Sequence, residues 1–148
     1  MKMFFSLVMA ISFVYFCVCD SQKQKNKTRL LDEVVRFIGF VKSELNYRNS
    51  DYESLYEISR GEGYKYITFE DKKIGLNRCA DDKVSAEFSA FIEKIGTTDG
   101  EGQLSMCEEY RERFADILEV QRQKEKEKLR VNTAVSVMGA LSVFIFFL

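Results

Sequence analysis

Apolar residues recur at helical spacing along most of the chain. One stripe runs through residues 30–45, a second through residues 84–95, and a third starts at Leu104. Spacings of three and four residues place such side chains on one face of an α-helix. From Gln103 to Leu148 nothing obliges the third helix to end, so at 1.5 Å per residue it would be about 70 Å long. The pattern predicts an all-α fold, a helical bundle.

The segments between these stripes carry turn and capping signals. Ser50-Asp51-Tyr52-Glu53 has the form of a capping box that opens a short helix with Leu55, Tyr56 and Ile58 inward. Tyr64, Tyr66, Ile67 and Phe69 could pair as a short strand, although an aromatic plug in the bundle is favoured. Gly96 suits the end of the residue 84–95 helix. Thr98 is predicted to be the N-cap of the last helix, with Glu101 as its reciprocal partner.

Both ends of the chain are apolar. Residues 3–19 contain only two serines as polar residues, and residues 131–148 carry no charge. About 18 to 20 apolar residues span the hydrocarbon part of a bilayer. The sequence therefore predicts transmembrane helices at residues 1–20 and 131–148, the second continuous with the long last helix. They flank a helical cytoplasmic domain with a charged neck, residues 21–130.

Basic residues on the inner side of each apolar run predict the orientation. They are Lys23, Lys25, Lys27 and Arg29 after the first run, and Arg122, Lys124, Lys126, Lys128 and Arg130 before the second. Positive charge remains on the cytoplasmic side, so the middle of the chain is expected in the cytoplasm, with both termini outside. The alternative is a cleaved signal peptide and a surface protein, anchored by its tail, that binds an external partner.

Composition restricts the chemistry. The net charge of −1 gives no whole-chain basic excess that would indicate nucleic acid, and the chain has no histidine, the commonest general base and metal ligand. Among the four cysteines no Cys-x-x-Cys pair occurs. Buried apolar thiols are favoured over a disulfide between Cys79 and Cys107, which would require an oxidising compartment.

Three segments resemble chemical motifs but lack a residue or a spacing that the motif requires. The segment from Asp99 begins like a calcium loop but has Leu104 at the position that requires glycine, and Tyr110 at the position that requires glutamate. The glycines before Lys65 lack the spacing of a phosphate-binding loop. Adjacent carboxylates such as Glu108 and Glu109 are usually solvated. We therefore expect no enzyme activity, no catalytic residues, no cofactor and no metal.

Two segments carry a resemblance to a known family. They are Val41-Lys42-Ser43-Glu44-Leu45-Asn46-Tyr47-Arg48 and Ile95-Gly96-Thr97-Thr98-Asp99-Gly100-Glu101-Gly102-Gln103-Leu104. With the apolar start, the basic neck and the apolar end, the chain resembles the stage III sporulation protein AB family of endospore-forming bacteria. That family is compared with the platform proteins of type II secretion and pilus systems. The chain departs from it at Ser50-Asp51, where the family commonly has Pro-Leu.

The resemblance implies a function and a set of site residues. It implies a non-enzymatic, membrane-anchored component of the mother cell–forespore apparatus, in the mother-cell membrane, which contacts other membrane components and a cytoplasmic ATPase. It leaves self-association into a homo-oligomer open. Glu44 and Tyr47 match the family's Glu-x-x-Tyr, and Gly96, Asp99 and Gln103 match its turn and helix start. Glu44, Tyr47, Asp99 and Gln103 are expected to lie together where the two turns meet, and either to bind one another as a structural lock or to present a partner-binding site.

Overall fold

The computed structural model describes the backbone of residues 2–48 and 52–147. Within these ranges the side chains of residues 2–11, 13, 14, 16, 17, 48, 140, 141 and 143–147 are not described. The described elements are four helices and one hairpin: α1 (Lys2–Arg48), α2 (Tyr52–Gly61), β1 (Ile67–Glu70), β2 (Lys73–Leu76), α3 (Asp82–Lys94) and α4 (Gly100–Phe147). The helical prediction is confirmed, and so is the continuity of the last helix. The predicted capping box falls partly outside the described residues.

The residue range Lys27–Glu119 forms one compact unit. Its core is built from the periodic apolar faces of three helices, with α2 and the hairpin adding to it. The side chains that are entirely excluded from solvent include Val34, Phe37, Ile38, Phe88, Phe91, Cys107 and Phe114. At about 25 cal/mol per Å² of apolar surface, burial of these faces is the main force that holds the unit together.

The hairpin corrects the all-α prediction. Strands β1 and β2 pair antiparallel, with Ile67 opposite Leu76 and Glu70 opposite Lys73. Asp71 and Lys72, the two residues between them, have φ values of 49° and 59°. Two left-handed residues in a two-residue loop make a type I′ turn, whose twist matches that of paired strands. Alternation of Ile67, Phe69 and Ile74 turns one face of the hairpin toward the core.

The second compact unit combines the two ends of the chain, Met1–Asn26 and Val120–Leu148. Here α1 and α4 run antiparallel and are joined by polar side chains. Lys128 Nζ lies 2.9 Å from Asp20 Oδ2, Asn132 Nδ2 donates to Ser21 Oγ over 3.1 Å, and Gln121 Nε2 donates to Gln24 Oε1 over 2.9 Å. We call these three contacts the polar ladder.

The two predicted membrane helices, residues 1–20 and 131–148, fall partly on side chains outside the described set. Among the residues that are described, no helix has both the length and the apolar character required to cross a membrane.

Candidate functional site

Three of the five predicted site residues lie in the turn that joins α3 to α4 or in the first turn of α4. Gly96 has φ +82°, a left-handed conformation that glycine adopts without strain, and it ends α3 as predicted. The next residue closes that helix end, because Thr97 donates to the Lys94 carbonyl through both its backbone N–H at 3.2 Å and its hydroxyl at 2.7 Å. The chain is thereby turned toward α4.

Asp99 is the N-cap of α4, which corrects the prediction of Thr98 with Glu101. Asp99 Oδ1 accepts a hydrogen bond from Gly102 N at 3.1 Å, and the Asp99 carbonyl accepts one from Gln103 N at 2.9 Å. A carboxylate at this position both satisfies a free backbone N–H and interacts favourably with the positive end of the helix dipole. Thr98 and Asp99 are both N-cap residue types, so the sequence alone could not separate two neighbouring positions.

Gln103 fastens the turn from the first part of α4. Its Nε2 donates to the Thr98 carbonyl at 2.8 Å, and its Oε1 accepts from Gly96 N at 3.4 Å. One side chain therefore holds two backbone groups of the turn, which is what a structural lock requires. Because both backbone partners lie at the surface, water can replace these bonds, and the lock is worth about 1 kcal/mol.

Glu44 and Tyr47 lie on the last turns of α1 rather than in the turn between α3 and α4. The Tyr47 side chain is 83% exposed, whereas Glu44 is half-buried with its Oε2 atom shielded from solvent. Tyr47 is thus displayed on the surface, while Glu44 faces the protein. The hydrogen bonds described for Gln103 join it to backbone groups of the turn, and the choice between a lock of the four residues and a partner-binding site stays a prediction.

An ion pair between Lys42 and Glu108 joins α1 to α4 beside these residues. Tyr47 lies five residues from one partner and Gln103 five residues from the other, each about 7.5 Å along its helix. The Lys42 ammonium, which donates to the Glu108 carboxylate, is the main cause of the lowered pKa of Glu108. That pair therefore stabilises the fold above the ordinary glutamate pKa, and the contribution is lost as the pH falls and Glu108 is protonated.

Cys107 lies next to this ion pair and is excluded from solvent. Desolvation, only partly offset by Lys42, raises its pKa to about 11, so the thiol is protonated and unreactive at neutral pH. Cys79, in contrast, is exposed, and neither is in a disulfide. The prediction of buried thiols is correct for Cys107 and wrong for Cys79, while the side chain of Cys17 lies outside the described residues.

Sequence reasoning did not find Glu33, a carboxylate buried in the compact unit Lys27–Glu119. Its side chain is only 6% exposed, and Oε1 accepts hydrogen bonds from the backbone N–H groups of Tyr66 at 2.6 Å and Ile67 at 3.2 Å. Glu33 therefore ties α1 to the start of β1. Its position in the sequence does indicate burial, since Glu33 lies on the same helical face as the apolar residues Leu30 and Phe37.

Gly102 was also missed, and it gives a direct test of the Asp99 cap. A Cβ at Gly102 would lie 2.6 Å from Asp99 Oδ1, whereas a Cβ at Gly100 would meet nothing within 4 Å. Gly100→Ala should stabilise the fold by about 0.5–1 kcal/mol through helix propensity. Gly102→Ala displaces the carboxylate, and loss of the cap, about 1 kcal/mol, cancels that gain.

Thermal unfolding of the two variants, followed by circular dichroism, measures the difference. We expect Gly100→Ala to melt higher than the parent and Gly102→Ala to melt at or below it. Removing the cap first by Asp99→Ala should reduce the difference between the two glycine substitutions to what the contact of a Cβ at position 102 with Thr98, at 3.3 Å, still costs. Equal melting temperatures in the parent background would show that Asp99 does not cap α4 through Gly102.

No metal site is indicated by the described side chains, in which no three acidic or cysteine residues are grouped to hold an ion. In the comparisons with known proteins, the chain matches no family model, no curated protein and no solved structure. The resemblance carried by residues 41–48 and 95–104 therefore stays a prediction.

Proposed function

We propose that this chain is a non-enzymatic, membrane-anchored assembly component of the mother cell–forespore apparatus formed at stage III of sporulation. In this role the Lys27–Glu119 unit stands in the mother-cell cytoplasm and docks the ATPase of that apparatus, and the ends of α1 and α4 lie in the membrane. The family resemblance supports the apparatus and the partner. The anchoring is inferred from the two apolar ends of the chain and from apolar side chains exposed on the unit that contains them.

The observation that carries the proposal is apolar surface on that unit. Tyr15 is 72% exposed and Val18 53% on α1, while Val131 is 60%, Val137 54% and Met138 69% exposed on α4. An exposed large apolar side chain is common, but several on one unit favour a surface that is covered by another apolar phase, because water is a poor solvent for them. Lipid tails would cover these side chains at no such cost. The polar ladder holds the two helices side by side next to this surface.

Cysteine accessibility tests the orientation. In intact cells we expect a membrane-impermeant maleimide to leave Cys79 unlabelled, and permeabilisation should then expose it, because its side chain lies at the protein surface. Cys107 is the internal control, since a buried thiol with a pKa of about 11 should react only after unfolding. Peptide mass spectrometry identifies which cysteine carries the label.

The same experiment separates the proposal from the alternative of a cleaved, tail-anchored surface protein. Labelling of Cys79 in intact cells would place the compact unit outside and refute the cytoplasmic orientation. A mature chain that begins near Asp20 would support the alternative as well. Labelling of Cys107 without unfolding would instead show that the core opens.

Comparison of two variants, Tyr47→Ala and Gln103→Ala, tests whether Tyr47 belongs to the surface that docks the ATPase. Tyr47 is largely exposed, so its removal should change the free energy of unfolding by no more than about 0.5 kcal/mol and should abolish co-purification of the ATPase. Gln103→Ala should lower stability by about 0.5–1.5 kcal/mol and leave co-purification intact. Val120→Ala, at another exposed apolar position, is the control for both. Full co-purification with Tyr47→Ala would remove that residue from the docking surface.

A further inference from the structure

The chain-wide net charge of −1 conceals a basic unit. The unit that combines Met1–Asn26 with Val120–Leu148 contains eight lysines and arginines against three acidic residues. The other unit, Lys27–Glu119, contains 14 basic and 20 acidic residues. The basic excess is thus confined to the unit that, among the described residues, carries the exposed large apolar side chains other than Tyr47.

Seven of those eight basic residues form a band that we call the basic belt. Its members are Lys23 and Lys25 on α1, and Arg122, Lys124, Lys126, Lys128 and Arg130 on α4. On α4 they recur every second residue, so successive side chains point about 200° apart and lie on two opposite sides of the helix. They occupy only about 12 Å of helix length. All five on α4 are exposed.

The polar ladder aligns the contributions of the two helices. Gln24, which lies between Lys23 and Lys25, is hydrogen-bonded to Gln121, directly before the α4 part of the belt. Lys128 is paired with Asp20 at 2.9 Å, and Glu125 and Glu127 are the other acids in the band. Seven positive charges against three negative ones leave the belt with a clear positive excess.

Exposed apolar side chains continue from the belt toward the two chain ends. On α4, Val131 follows Arg130 directly, with Val137 and Met138 beyond it, and on α1 Val18 and Tyr15 precede Asp20; all five are exposed. A long basic side chain can lie along apolar surface while its charge reaches a polar layer. A band of positive charge that borders apolar surface matches the headgroup layer of a bilayer, next to its hydrocarbon.

We propose that the basic belt binds the phosphate groups of anionic phospholipids, so that the anchored chain selects these lipids from its membrane. This inference rests on the proposed membrane anchoring and adds a lipid class to it. Free phosphate offers the same chemistry. The bordering apolar side chains favour a bilayer, because a free anion or a nucleic acid would leave them exposed to water.

The test uses the full chain in phosphatidylcholine vesicles that contain spin-labelled lipid, with phosphatidylglycerol as the anionic probe and phosphatidylcholine as the neutral one. Electron spin resonance measures how much of each labelled lipid is motionally restricted by the protein. We expect about a threefold preference for phosphatidylglycerol, falling toward none in 1 M NaCl, where screening is nearly complete. Sodium phosphate at equal ionic strength should weaken it no more than chloride does.

Two matched variants test whether the basic belt causes the preference for phosphatidylglycerol. The belt variant replaces Arg122, Lys124, Lys126 and Arg130 by glutamine and leaves the Lys128–Asp20 pair intact. The control replaces four exposed lysines of the other unit by glutamine, Lys65, Lys72, Lys73 and Lys83. The belt variant should show equal restriction of both lipids, and the control should keep the parent's preference.

The outcomes separate the inference from the proposed function. If the parent restricts both lipids equally, or if the belt variant keeps the preference, selection of anionic lipid by the belt is refuted. The proposed membrane anchoring is unaffected by either result. Stronger displacement by phosphate than by chloride assigns the belt to free phosphate. Absence of any restricted lipid refutes the membrane anchoring, and the selection with it.

Discussion

Replacing Glu33 by alanine is expected to lower the free energy of unfolding by about 2–5 kcal/mol. The change removes the acceptor of two backbone N–H groups, those of Tyr66 and Ile67, at a position where Glu33 itself is only 6% exposed. Each buried donor left without a partner costs about 1–3 kcal/mol, because its water was already lost on folding. Structure should be lost first at the start of β1, since these hydrogen bonds attach it to α1.

Amide hydrogen exchange on the full chain measures this directly. Tyr66 and Ile67 should lose protection more than the amides of α3, and the melting temperature should fall. Glu33→Gln keeps one carbonyl acceptor in place and should cost only about 1 kcal/mol. Asp32→Ala is the control at the neighbouring acidic position, where the side chain is half exposed. Unchanged exchange at Tyr66 and Ile67 in Glu33→Ala would show that the carboxylate does not hold the hairpin.

The helices could be predicted because each is specified by its own residues. A stripe such as Val34, Phe37, Ile38 and Val41 predicts a buried helical face without knowledge of what it packs against, and the structure confirms that face. The hairpin depended on a weaker local signal. Asp71-Lys72 separates two short runs with alternating apolar residues, but a type I′ turn is usually marked by glycine at the second position. Without that glycine, four-residue strands could not be distinguished from an aromatic plug.

The residues of the candidate site differ in the same way: some contacts are local in the sequence, and others join residues that are far apart in it. Gly96, Asp99 and Gln103 lie within eight residues of one another, and their hydrogen bonds stay within that segment. Their position in one turn could therefore be predicted from the sequence, although the predicted N-cap residue was wrong. The Lys42–Glu108 pair joins residues 66 positions apart, and Glu33 reaches backbone groups 33 and 34 positions away. Such partners depend on how α1 packs against α4 and the hairpin. Periodicity shows which face is buried, and it contains no information about which residue lies opposite.

Phe37→Ala is expected to lower the free energy of unfolding by about 3–5 kcal/mol, comparable to or larger than the effect of Glu33→Ala. The Phe37 side chain is completely excluded from solvent. It packs edge-on against Tyr64, with ring centroids 5.5 Å apart, and against Phe88 at 5.8 Å. Truncation removes both aromatic contacts and leaves a cavity that the helices close only in part, so the attachment of α1 to α3 and to the segment before β1 is weakened.

Chemical unfolding followed by near-ultraviolet circular dichroism reports the loss, because Tyr64 contributes to that signal only while it is packed. Phe40→Ala is the matched control on the same helix, at a half-buried position, and should cost about 1–2 kcal/mol. Phe37→Leu refills most of the volume and should recover a large part of the difference. If Phe37→Ala costs no more than Phe40→Ala, the aromatic cluster around Phe37 is not the centre of the core, and the packing of α1 against α3 must depend on other residues.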